Sequence, residues 1–144
     1  MKKTVGQILV DQGTLSEQEL LTYQAQAAQE KIPFIRYVHE KRLVSQEALA
    51  KAYAVQSDYT YLEKISDDMA DPVLLAKVPL KFLKENIVIP LKTASGLILA
   101  VANPMNFQPI DDVSLLFGNQ ITTVVATPKV IIDALNHYYP LEGT

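Results

Sequence analysis

QGTLSEQEL occupies residues 12 to 20, and KRLVSQEAL occupies residues 41 to 49. The second phrase repeats the first at an offset of 29 positions, and that offset decides how the N-terminal part of the chain folds. In the first copy, Ser16 is placed to cap a helix beginning at Glu17, and Glu19 can reach back to the Ser16 amide, which is a capping box. Leu15 before the cap and Leu20 in the first turn form a hydrophobic staple. Gly13 is placed to end an earlier helix, VGQILVDQ, in a left-handed conformation. The stretch therefore predicts helix, tight turn, helix.

Sliding by 29 residues puts Ser45 on Ser16, Val44 on Leu15, Leu49 on Leu20 and Val38 on Leu9. Cap and staple are kept. Ala48 replaces the capping-box acid Glu19, and Arg42 stands where Gly13 stood. A residue with a side chain in a left-handed position costs about 1 kcal/mol, so the second turn is expected to take a different shape. The helix before it, PFIRYVHEK, can start with Pro33 in its first turn. Val5, Ile8, Leu9, Leu20 and Tyr23 recur at helical spacing, as do Ile35, Val38, Leu49, Ala52 and Tyr53. Neither hairpin can bury a core alone, so the two are expected to pack as a four-helix unit.

The pattern then changes. SDYTYLEKI, residues 57 to 65, reads as an extended linker or a short strand. Asp71 and Pro72 open a helix, PVLLAKV, in cap-then-proline order, and LKFLKEN is a second short helix. IVIPL and LILAVA are strand-like runs joined by KTASG, a hairpin signal. FQPIDDVSLLFG reads as a helix stopped by Gly118, ITTVVAT as a third strand, and Pro128 opens the last helix, PKVIIDALNHYY, whose closing Tyr138 and Tyr139 are expected to be half-buried. The fold class is α+β. A pair of helical hairpins (residues 1 to 56) precedes a linker (57 to 70) and a small sandwich of about three strands with helices on one face (71 to 140). A tail (141 to 144) follows.

Composition narrows the function. The chain has 144 residues, 49% hydrophobic and 20% charged, with net charge −3. No basic stripe is present, which argues against nucleic acid as a partner. There is no cysteine, so thiolate metal sites and cysteine nucleophiles are excluded. No stretch approaches the roughly 18 apolar residues of a membrane span. His39 and His137 lie in different halves without a second ligand at metal spacing, and His39 is expected to be exposed. Asp111 and Asp112 are adjacent on a helix and point about 100° apart, so they cannot form a paired-carboxylate site. Asp67, Asp68 and Asp71 read as capping and solvated. There is no P-loop, no G-x-G-x-x-G and no G-x-S-x-G. The fragment is therefore read as non-catalytic.

The tandem hairpins, with VGQILVDQGTLSEQEL and then LAVANPMNFQPIDDVSLLFG, resemble the N-terminal domain of the hexameric ATPases of bacterial type II secretion and type IV pilus systems. The resemblance implies a docking or regulatory domain that binds the cytoplasmic part of an inner-membrane platform protein. The setting it implies is cytoplasmic, peripheral to the membrane through partners, with no membrane insertion. ATP, Mg and the hexamer would belong to a core domain outside this fragment. An accessory domain of the same fold on another membrane-associated enzyme is the alternative.

Some members of this family bind cyclic di-GMP through the duplicated motif, which implies a second alternative, a sensing domain. The motif's positions carry over to Gly6, Leu9, Val10, Gly13, Leu15 and Leu20 in the first copy. In the second they carry over to Val38, Leu43, Val44, Leu49 and the closing Gln56. The chain departs from the pattern at both arginine positions, which are Thr4 and Pro33, at the second copy's glycines, which are Ile35 and Arg42, and at the first closing glutamine, Ala27. The acidic residue expected before Pro104 is Asn103. Lys3 and Arg36 are near the arginine positions but out of register. Each lost charge-assisted contact costs about 1.5–3 kcal/mol. The repeat is thus read as a retained scaffold whose nucleotide site has decayed.

Overall fold

A computed structural model of the protein describes residues 3 to 118 and 120 to 138. The chain divides into two compact units, Met1–Asp58 and Tyr59–Thr144. In the first, α1 (Val5–Asp11), α2 (Glu17–Glu30), α3 (Phe34–Glu40) and α4 (Gln46–Ser57) form the two hairpins. The capping box at α2 closes in both directions. Ser16 Oγ accepts from the Glu19 amide at 3.0 Å, and Glu19 Oε1 accepts from the Ser16 amide at 2.9 Å. Ser45 Oγ accepts from the Ala48 amide at 3.0 Å, so α4 keeps the single capping bond. Helix α1 packs on α4 and α2 on α3. Leu9, Val38 and Ala52 are fully buried between them.

The second turn does not take a different shape. Arg42 has φ +55°, and Gly13 has φ +79°. The Thr14 and Gly13 amides donate to the Leu9 and Val10 carbonyls at 2.9 Å. One repeat later, the Leu43 and Arg42 amides donate to the Val38 and His39 carbonyls at 2.9 and 3.2 Å. Both are Schellman turns. Two satisfied helix-end carbonyls, each worth about 0.5–1.5 kcal/mol, offset the strain that an arginine brings to the left-handed region.

In the second unit β1 (Thr60–Tyr61) leads to a 3-10 turn (Asp67–Met69), α5 (Pro72–Ala76) and α6 (Leu80–Asn86). Then follow β2 (Val88–Thr93), β3 (Gly96–Val101), α7 (Phe107–Leu116), β4 (Ile121–Val125) and α8 (Pro128–Tyr138). Asp71 caps α5 through Oδ1, which accepts from the Val73 amide at 2.9 Å. The β2–β3 hairpin is antiparallel with Thr93 opposite Gly96, and β3 runs parallel to β4. The sheet has four strands in the order β1-β4-β3-β2. The strand added to the three read from the sequence is β1, parallel to β4, with the Leu62 amide donating to the Val125 carbonyl at 2.7 Å. Residues expected as linker thus belong to the sheet, and Leu62, Ile65 and Met69 pack on its core.

Val88, Ile89, Pro90 and Leu91 are buried in succession, as are Leu99, Ala100 and Val101. Neighbouring strand residues point to opposite faces, so both faces of the central sheet are covered, not one. The core around them includes Leu75, Leu83, Ile110, Val113, Ile131 and Leu135, which come from α5, α6, α7 and α8.

Candidate functional site

The duplicated motif forms the interior of the helical unit. Leu9, Leu15, Leu20, Val38 and Leu49 are core residues; Val10, Leu43, Val44 and Gln56 are half-buried, and Gly13 is exposed. Gly6 is buried, and a Cβ there would stand 2.7 Å from Leu20 Cδ1 and 3.2 Å from the Phe34 ring. Its missing side chain therefore lets the start of α1 meet the start of α3. The two arginine positions of the motif are the matching N-caps of these helices. Thr4 Oγ1 accepts from the Gln7 amide at 3.2 Å, and Pro33 caps α3 without a side-chain bond.

Gln56, the closing glutamine of the second copy, folds back on the beginning of the first. Its Nε2 donates to the Lys3 carbonyl at 3.4 Å, while its Oε1 is buried with no partner among the described residues. Beside it is a cavity of about 370 Å³ lined by Lys3, Ile8, Asp11, Gln12, Val55, Gln56 and Asp58. Lys3 Nζ lies 2.6 Å from Asp11 Oδ2, and Gln7 Nε2 donates to Asp11 Oδ1 at 3.3 Å. The hydrogen bond from Lys3, then that from Gln7, holds the Asp11 carboxyl below the ordinary range.

The two cations nearest the arginine positions are engaged within their own helical neighbourhoods. Lys3 pairs with Asp11, and Arg36 Nε lies 2.9 Å from Glu40 Oε1. A second cavity of about 510 Å³ lies at the α3–α4 turn, lined by His39, Arg42, Val44, Ser45 and Gln46. Lys3, Asp11 and Gln12 are site residues that sequence reasoning did not assign. Their proximity to Gln56 depends on the packing of α1 against α4, and no local pattern announces it.

Elsewhere, Asn103 Oδ1 accepts from the Met105 amide at 3.0 Å as a turn bond. Both histidines are exposed. Tyr138 is half-buried and its hydroxyl donates to Asp67 Oδ1; Tyr139 and the tail lie outside the described residues. Among the described residues no group of three or more His, Cys, Asp or Glu could hold a metal ion, and no helix is long and apolar enough to cross a membrane.

Comparison with known proteins places this architecture. The MshEN domain model matches residues 57–144, the second unit almost to its boundary. The type IV pilus assembly ATPase PilB of Myxococcus xanthus is 28% identical over 99% of the chain, and PilB of Pseudomonas aeruginosa is 28% identical over 87%. The chain spans 25% and 21% of the length of these relatives. A solved structure of MshE with cdg, cyclic di-GMP, superposes with TM-score 0.74 at 17% identity, covering 96% of this chain and all of that one. The N-terminal domain of XpsE superposes with TM-score 0.66 at 18% identity, covering 97% of this chain and all of that one. The tandem hairpins and the four-stranded α+β unit together form the fold of these ATPase N-terminal domains, and the chain belongs to the MshEN domain family.

Proposed function

We propose that this domain docks a pilus or secretion ATPase onto the cytoplasmic part of an inner-membrane platform protein. The observation that carries the reading is the near whole-chain likeness to pilus assembly ATPases of which the chain spans about a quarter. On this reading ATP and Mg act in a separate core, and hexamer formation belongs to the whole motor. The helical unit makes the contact. Titration of the chain against the soluble platform fragment at near-physiological salt tests it: saturable binding is expected, and no binding overturns it.

A second reading, cyclic di-GMP binding, is favoured by Gln56 Oε1, buried beside its cavity with no partner among the described residues. Opposing it, neither arginine position carries a cation, and both nearby cations are already paired. Calorimetry with the dinucleotide should show no micromolar binding to the native chain. The Thr4→Arg variant restores one charge-assisted contact and should tighten binding by about tenfold or more. Its loss of the α1 cap should lower stability by about 1 kcal/mol. Micromolar binding by the native chain would make sensing the leading reading.

A further inference from the structure

Residues 62 to 70 carry the chain from β1 to α5, and none of them is buried. Leu62, Ile65 and Met69 are half-buried against the core, while Glu63, Lys64, Ser66, Asp67 and Asp68 are exposed. The segment is fastened near both ends. At the strand end the Leu62 amide donates to the Val125 carbonyl at 2.7 Å. Toward the other end the Asp67 carboxylate accepts from the Tyr138 hydroxyl, across 71 positions of sequence. That hydrogen bond holds the Tyr138 phenol above its ordinary value, so at neutral pH the hydroxyl keeps its proton and remains a donor. Between the fastenings the packing is thin on two sides. Lys64 and Ile65 line a cavity of about 560 Å³ against Val130, Ala134 and Tyr138 of α8. Ser66, Asp68 and Met69 line another of about 550 Å³ against the end of β2.

We propose that residues 62 to 70 form a strap that opens as one unit, with the hydrogen bond from Tyr138 to Asp67 as its latch. A segment with few buried apolar contacts and exposed backbone opens at a lower free energy than the core it lies on. Without the latch, its far end rests on the half-buried side chains alone. Opening breaks the bond from Leu62 to β4 and lifts Leu62, Ile65 and Met69, which uncovers apolar surface on the second unit. The latch also joins the segment by which the chain enters this unit to α8, the helix that ends it. The motion lies within the second unit and does not depend on platform docking by the helical unit.

Hydrogen exchange of the whole chain, followed amide by amide in sub-denaturing urea, tests this. The Leu62 amide, bonded to Val125, and the Met69 amide, bonded to the Ser66 carbonyl at 3.0 Å, are the reporters. Both should open with one shared free energy, lower than that of the β2–β3 hairpin amides and less dependent on urea. Tyr138→Phe keeps the ring and removes the donor, and should speed both reporters about three- to tenfold. Asp67→Ala removes the acceptor and should do the same. The double variant should exchange no faster than either single one, because the two act through one bond. A core variant on α7, Val113→Ala, separates the strap from general loosening. It should speed the hairpin amides but not the reporters, since the open-strap state still holds the cavity that Val113→Ala creates. Reporters that open at different free energies, or only together with the hairpin, would overturn the proposal. So would a Leu62 amide that Tyr138→Phe leaves unchanged.

Discussion

Gly13 and Arg42 hold the same left-handed turn one repeat apart, and only the glycine is suited to it. Beyond its chain neighbours, no atom of a described residue lies within 4 Å of where a Cβ on Gly13 would stand, so Gly13→Ala meets a backbone cost alone. The expected loss is about 1 kcal/mol. Arg42→Gly should gain up to about the same amount, less what the freer unfolded chain takes back. Urea midpoints at unchanged m-value check both, and an Arg42→Gly variant less stable than the native chain would refute the strain argument. Tyr53 supports a different prediction. It is buried in α4, and burial raises its phenol above the ordinary value. In the unfolded chain the phenol loses its proton near pH 10. Above that pH the unfolded state binds fewer protons, so stability should be complete below about pH 10 and fall as pH rises through the higher native value. Tyr53→Phe should remove that share of the alkaline loss, measured by melting between neutral and alkaline pH.

At the scale of elements, the two capped helices differ by one bond. Ser16 takes part in a reciprocal box, whereas Ser45 only accepts. Each serine-to-alanine change should cost about 1 kcal/mol, with Ser16→Ala the larger because Glu19 then loses its fixed partner. Paired thermal melts of the variants decide the order. Capping also explains what the sequence made readable. Ser16, Ser45, Asp71 and Pro128 each mark a helix start by local chemistry, and the structure opens helices at all four. Pro90 was equally readable in principle: it has no amide for a ladder, and β2 is an edge strand. The two-residue β1 was ambiguous because it is too short to show a period, and its partner β4 lies far along the chain. At the site, the family resemblance led to Gln56, but the contact of its Nε2 with the Lys3 carbonyl is tertiary. Nothing local encodes that contact.

At the scale of the molecule, the boundary at residue 58 has a measurable meaning. A fragment starting at Tyr59 keeps β1 and the packed side chains of Leu62, Ile65 and Met69; one starting at Asp71 loses all of them. Burying such a side chain fully is worth about 1.5–3 kcal/mol, and these are partly buried. The shorter fragment should therefore be less stable by about 3 kcal/mol or more, with the exposed edge of β4 favouring aggregation. Denaturation of the two fragments side by side tests this, and equal midpoints would return residues 59 to 70 to the status of a linker.

The pairing of Thr60 with Val124 and Tyr61 with Val125 also orders events during synthesis. Sixty-four positions separate each residue from its partner (124 − 60). At ribosomal speed that is a delay of about 3 to 13 seconds. The helical unit is complete in the chain once its first 58 residues have been made. The first strand of the sheet, by contrast, is made early and paired late. It waits in the nascent chain, with its apolar followers Leu62 and Ile65, until β4 is synthesised.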